Sequence, residues 1–295
     1  MTGRRLVRGL TGVLAGAAIT AVLHELAARR YYRTAPGPDR IVHEDERVVW
    51  TPLWREWLAP AEWLRLRSSP VHRGRGVPRG DGAPVLLVHG FLTRGLYLTP
   101  LRRWLERIGY QARVADIGWN ADCLDVLADR LLAEVRHVHA STGRPVALIG
   151  HSAGGLLVRA VAAAAPELIA SIALLAAPVR GLRVHPALEL GAMSVRAGVH
   201  ARRRQWVDPK CLTLACSCPT VSSLARPVPP DVPHLAVVAR GDGLTDWRYA
   251  VDRAATRVVE VDTSHFGLVV SQTVYEALGQ HLARSFAARA SVTSA

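Results

Sequence analysis

A chain of 295 residues, 49% of them hydrophobic, can bury a sizeable core as one α/β unit, since units of that class routinely exceed the usual domain size. Four cysteines are too few for a disulfide scaffold at this length, so apolar burial must carry the fold. The formal net charge of +13 is almost entirely arginine, Lys210 being the only lysine. No basic run with interleaved aromatics accompanies it, which excludes nucleic acid as the expected partner. The arginine excess reads as compositional bias, with attraction to an anionic membrane surface as its functional alternative.

At the N-terminus, Arg4, Arg5 and Arg8 precede an uncharged apolar stretch from Leu10 to Leu23, which His24, Glu25, Arg29 and Arg30 end. The stretch is shorter than the roughly 20 residues a bilayer-spanning helix needs and fits the apolar core of an export signal, about 7–15 residues. Residues 1–30 are expected to be an address, either an uncleaved membrane anchor or a cleaved export signal. The Arg4-Arg5 pair hints at twin-arginine export. A packed or amphipathic helix on a cytoplasmic protein is the alternative.

Residues 31–82 lack strand alternation and carry Trp50, Trp54, Trp57 and Trp63. Trp54, Trp57 and Leu58 can share a helical face, which predicts either a membrane-interface belt or a helix packed on the rest of the protein. The run from Arg73 to Gly82 reads as an exposed linker.

From Ala83 onward, short apolar runs alternate with longer amphipathic ones. Strands are predicted at Pro84 to Gly90, Gln111 to Ala115, Pro145 to Gly150, Ser171 to Pro178, His234 to Ala239 and Arg257 to Asp262; helices at Thr99 to Ile108, Cys123 to Ala140, Leu156 to Ala165 and Thr273 to Ala288. Continuously apolar strands separated by helices imply an α/β domain over residues 83–290, its mostly parallel sheet covered on both faces. The alternation lapses over residues 181–233, before the last two strands. That stretch holds a predicted helix from Ala187 to Ala197, the arginines Arg202 to Arg204, and Cys211, Cys216 and Cys218. So long an interruption is usually functional or has structure of its own, and a lid or cap is expected. No second Cys/His pair lies close enough to complete a four-ligand site, so no metal is expected; a disulfide through Cys211 and buried or free thiols both stay open.

The sharpest motif is Gly150-His151-Ser152-Ala153-Gly154, between a predicted strand and a predicted helix. A G-x-S-x-G turn projects its serine from a strained strand-to-helix corner, and small residues two places either side let the two elements approach. Ser152 is therefore the candidate nucleophile. Acyl transfer also needs donors for a developing oxyanion: the Ala153 N–H is one candidate, and the Phe91 N–H, just after the first strong strand, is the other. His89 is expected only to hydrogen-bond that loop in place. Where such a turn serves a parallel sheet, an acid and then a base follow the serine along the chain, on later loops at the C-terminal edge of the sheet, which converge on one site. Asp242 and Asp246 follow one strand; His265 follows the next. His137, His139 and His281 read as solvated surface.

With PVLLVHGF, GHSAGG, LAAPVRG, ARGDGLTDW and SHFGL, the region from about Pro84 to Leu282 resembles the bacterial lipase and esterase branch of the α/β-hydrolase superfamily. The resemblance implies the α/β-hydrolase fold, a carboxylic-ester hydrolase without cofactor, an ester or lipid as the small-molecule substrate, and Asp242 as the acid, with Asp246 as the alternative. An acyltransferase or thioesterase using the same triad is the nearest other reading, and a non-catalytic lipid-binding member the remoter one. The stretch from Leu182 to Pro230 matches no lid of the family.

Overall fold

Strands that are apolar on both faces are stable only when helices cover both, and the described residues meet that demand with a six-stranded sheet. In a computed structural model, residues 51–181, 184–203, 218–224 and 226–293, together with Leu26, are described. The strands are β1 (Pro84–Val88), β2 (Gln111–Val114), β3 (Val146–His151), β4 (Ile169–Leu175), β5 (His234–Ala239) and β6 (Arg257–Val261). They lie in the order β2-β1-β3-β4-β5-β6, all neighbours parallel. β1, β3, β4 and β5 are buried along their whole length, whereas β2 and β6 at the edges carry exposed residues.

The helices are α1 (Ala59–Ser68), α2 (Thr99–Arg107), α3 (Leu124–Thr142), α4 (Ala153–Ala164), α5 (Pro186–Arg203), α6 (Pro219–Leu224) and α7 (Gln272–Thr293). Alternate strand residues divide the core in two. Val85, Leu87, Ile149 and Val237 pack with α1, α2 and α7 on one face. Leu86, Val88, Leu148 and Leu174 pack with α3, α4 and α6 on the other. Predicted elements recur within a few residues, with two informative differences. α4 starts at Ala153, three residues before the predicted helix, because the chain turns into it directly at Ser152. α5 runs past Ala197 and absorbs Arg202 and Arg203; Arg204, Cys211 and Cys216 lie outside the described residues, and Cys218 is half-buried against the second core.

The tryptophan segment divides into an exposed part and a packed part. Leu53–Leu58 forms a 3₁₀-helix, in which residues three apart stack along one edge; Trp54 and Trp57 accordingly face outward together, Trp57 at 84% exposure. Trp63, on α1, packs against the first core beside the fully buried Leu66. The following run from Arg73 to Gly82 is largely exposed, but is pinned where the Gly80 and Gly82 N–H groups donate to Ile108 and Gly109 carbonyls. Residues 1–30 lie outside the described part apart from Leu26, as does Trp50. Among the described residues no helix is long and apolar enough to cross a membrane. His281 departs from expectation: it is half-buried rather than solvated, and burial pushes its imidazole down to about 4.

Candidate active site

Because the sheet is parallel, every loop leaving a C-terminal strand end lies on one side of it. β1 pairs with both β2 and β3, so successive connections depart in opposite directions from the gap between β1 and β3, the place where open α/β sheets bind ligands. A cavity of about 370 Å³ opens there, lined by Gly90 and Phe91 from the loop after β1, Ser152 and Ala153 from the β3–α4 corner, and His265 and Phe266 from the loop after β6. Leu124, Leu156, Leu188 and Ala192 make much of the remaining wall apolar.

Ser152 has φ 55° and ψ −128°, a backbone conformation that a non-glycine residue adopts only when its surroundings enforce it. Those surroundings are the small residues of the motif. A Cβ on Gly154 would sit 2.3 Å from the Val88 carbonyl oxygen, and one on Gly150 would sit 2.5 Å from the Gly155 Cα. The Ser152 N–H donates to the Leu175 carbonyl at 2.8 Å, which fixes the corner to β4. The loop after β1 runs close alongside: a Cβ on Gly90 would be 3.2 Å from that of Ser152. This brings Phe91 and Ala153, the two expected oxyanion donors, to the same cavity as Ser152.

The two aspartates after β5 part company. Asp242 is buried and its Oδ2 lies 2.6 Å from His265 Nδ1. Its carboxylate is further held by the Leu244 and Thr245 N–H groups at 2.9 and 2.8 Å, and by the Thr245 hydroxyl at 2.9 Å. Asp246, four residues on, turns away to Arg248, whose side chain and N–H it accepts at 2.8 to 3.1 Å. Burial works to lower the His265 pKa, but the Asp242 charge and hydrogen bond, helped by the Glu56 charge, prevail and hold it above the ordinary histidine value.

Several residues around the site carry no motif. His151 is fully buried next to Ser152; its Nε2 lies 3.0 Å from the His265 carbonyl oxygen, an acceptor, so Nε2 bears the proton. Its Nδ1 must then accept from the Tyr97 hydroxyl at 2.9 Å, and that hydroxyl in turn accepts from the Gly90 N–H at 2.9 Å. Burial, then the neighbouring His265, push His151 down to about 3, which keeps this relay neutral at ordinary pH. Asn120, with φ 45°, donates to the His89 carbonyl at 2.6 Å. His89 itself lies 3.1 Å from the Thr93 hydroxyl and 3.2 Å from the Gly90 carbonyl, and so works on its own loop, as expected. Glu56, from the 3₁₀-helix, accepts from the Gly243 and His265 N–H groups at 2.9 and 3.0 Å on one oxygen and from Phe266 N–H at 3.1 Å on the other. The x of G-x-S-x-G and a glutamate about a hundred residues upstream leave no local signal; only the folded chain makes them neighbours. Among the described residues no three His, Cys, Asp or Glu side chains are arranged to hold a metal ion.

Comparison with known proteins places these features in context. Residues 83–278 match the family described as alpha/beta hydrolase fold. A triacylglycerol lipase of Burkholderia plantarii is 36% identical over 133 residues, 42% of this chain and 37% of that one. One of Pseudarthrobacter phenanthrenivorans is 39% identical over 107 residues, 33% of this chain and 34% of that one. The matched segment thus spans little more than a third of the length of these curated relatives. Among solved structures, a soluble variant of monoglyceride lipase from Saccharomyces cerevisiae, in complex with a substrate analogue, superposes with a TM-score of 0.51 at 15% identity, covering 71% of this chain and 90% of that one.

Proposed function

The chain belongs to the α/β-hydrolase fold family, and from that premise we propose that it hydrolyses carboxylic esters through an acyl-serine intermediate. The observation that carries this reading is the buried Asp242–His265 contact of 2.6 Å beside a cavity that Ser152 lines from a strained corner. In the mechanism, His265 takes the Ser152 proton as the hydroxyl attacks the ester carbonyl, and Asp242 holds the imidazole tautomer and stabilises the imidazolium. The Phe91 and Ala153 N–H groups receive the oxyanion. His265 then protonates the leaving alcohol, and water deprotonated by the same histidine releases the acid. Relatives named as triacylglycerol lipases and a largely apolar cavity wall support an acyl ester of lipid type as substrate. No cofactor enters this mechanism.

The remaining proposals follow from position. α5 acts as a roof over the acyl site, within the insertion at residues 181–233. Residues 1–30 address the protein to a membrane or to export, and the outward Trp54 and Trp57 meet lipid. Fluorophosphonate labelling, followed by a chain-length series of nitrophenyl esters, tests the core claim. Ser152→Ala should remove labelling and lower turnover by on the order of 10⁶, as loss of such a nucleophile does elsewhere. Full activity in a folded Ser152→Ala protein would overturn it. Transfer to an added alcohol or thiol in preference to water would instead favour the acyltransferase or thioesterase reading.

A further inference from the structure

The catalytic acid and base proposed above sit on separate loops, after β5 and after β6, so something must fix their relative position. Backbone contacts between the loops contribute: the Arg240 and Gly241 N–H groups donate to Val261 and Thr263 carbonyls. Beyond these and the Asp242–His265 contact itself, a second carboxylate reaches both loops, and it comes from outside the segment that matches the family, 83–278. Glu56 Oε1 bridges Gly243, next to Asp242, and His265 itself, while Oε2 takes the N–H of Phe266. Three backbone donors on one carboxylate are charge-assisted hydrogen bonds, shorter and stronger than neutral ones.

The segment carrying Glu56 is fitted to the loops rather than laid across them. A Cβ on Gly243 would come within 3.0 Å of the Leu53 Cα and 3.1 Å of the Pro52 carbonyl oxygen. One on Gly241 would come within 2.7 Å of the Arg55 guanidinium. Arg55 reaches past Glu56 to Asp262 at 2.7 Å, and α1 brings Glu62 against Gly267, where a Cβ would overlap its carboxylate. Glycines thus stand at three of the closest approaches between segment 53–62 and the two loops.

We propose that Glu56 is a positioning residue of the catalytic centre: its carboxylate clamps the Asp242 and His265 loops together and places a second negative charge behind the histidine. The inference rests on the hydrolase reading for its kinetic consequence but not for its geometry. The groups facing His265 are Asp242 from the β5 loop, His151 from the end of β3 with ring centroids 4.8 Å apart, and Glu56 from the N-terminal segment. Glu62 of α1 lies near the adjoining Thr263 side chain and Ser264 backbone, and Asp262 is engaged by Arg55. His151 is neutral, so the negative charges of Asp242 and Glu56 are what favour the imidazolium, against burial.

The test is Glu56→Gln in the full chain, which keeps the shape and removes the charge. His265 is titrated by NMR with labelled histidine, its signal assigned by loss in His265→Gln, and the pH profile of kcat/KM on a nitrophenyl ester is measured alongside. The clamp predicts that the His265 pKa and the ascending limb both move to lower pH, and that kcat falls roughly tenfold, within the ~10²-fold that an ångström of misplacement can cost. Glu56→Asp, which keeps the charge on a shorter arm, should restore the pKa while kcat stays reduced. An unchanged His265 titration with wild-type kcat in Glu56→Gln would make Glu56 a structural staple only and overturn the proposal. If Glu56→Gln does not fold, Glu56→Asp decides: wild-type kcat there overturns it as well. Failure of the hydrolase reading is seen separately, as a wild-type protein that neither labels with fluorophosphonate nor turns over esters, and the NMR titration still decides the clamp.

Discussion

The loops behind His265 and helix α5 line the same cavity but are built from opposite materials. Behind the histidine the contacts are polar and directional: Asp242 has four partners, His151 and Tyr97 relay between loops, and Glu56 collects three N–H groups. α5 presents to the cavity Leu188, Gly191 and Ala192, flanked by Glu189 and Arg196, and leaves Leu190 and Met193 exposed. Among its fixed points are the Val184–Thr245 bridge and the His185 N–H bond to the Leu244 carbonyl at its start, and the Arg196 bond to the Asp122 carbonyl, at 3.0 Å. A proton transfer tolerates little displacement, so the loops are held by directional bonds. An acyl chain asks only for apolar surface, which is non-directional.

If that division holds, substitutions in the loops change kcat and its pH dependence, whereas those in α5 change which substrate is preferred. The largest contrast lies between the two aspartates. Asp242→Asn should lower kcat on the order of 10⁴-fold, as loss of the acid does in a well-studied protease triad. Asp246→Asn should leave kcat within a few-fold of wild type and instead lower stability by about 1–3 kcal/mol, through the fully buried carboxylate that holds Arg248. Steady-state kinetics and urea unfolding separate the two, and a reversed ranking would move the acid to Asp246.

The pH profile comes next. His265 must be neutral to take a proton, so kcat/KM should rise with pH, and its midpoint should lie above the ordinary histidine value of about 6.5 because Asp242 and Glu56 outweigh burial. The same shift acts on stability with the opposite slope. A folded pKa above the unfolded one contributes stability that is fully present below about 6.5 and lost as pH rises through the folded value. A pH series of urea midpoints for wild type and His265→Gln should show that loss only in wild type.

Smaller effects belong to α5 and the outer surface. Leu188→Ala should alter the preference between short and long acyl esters by about tenfold in kcat/KM, the low end of what removing apolar contact in a pocket does, without moving the pH limb. A moved limb would mean that α5 also positions the histidine. Trp57→Ser should change the urea midpoint by no more than about 0.5 kcal/mol in stability, because the indole is 84% exposed. Binding to anionic vesicles is where its loss should register.

The chain order of elements was legible because each β-strand buried on both faces must be written as a continuous apolar run, and each covering helix as a longer amphipathic one. Ser152 was legible for a local reason too: the strained corner needs Gly150 and Gly154 within two residues, so the motif is compressed into one short segment. His265 could be read from its place after the last strand. The choice between Asp242 and Asp246 was harder, since both follow β5 within a few residues and periodicity cannot tell which side chain turns toward His265. His281 was misread for a related cause: one polar residue within a helix carries no sign of which face it lies on.

What the sequence by itself determined, then, was whatever depends on neighbours along the chain: the α/β alternation, the sharp turn around Ser152, and the succession of Ser152, the two aspartates and His265 after successive strands. What only the tertiary structure decided was whatever depends on neighbours across it. Asp242 was selected by its reach to His265, and Tyr97, His151 and Asn120 were drawn into one polar network. Glu56 was seated behind a histidine 209 residues away in sequence. Hydrogen bonds act over about 3 Å, and separations of that kind are set by how strands are ordered in the sheet and how segments pack on its edge, which no local pattern of residue types encodes.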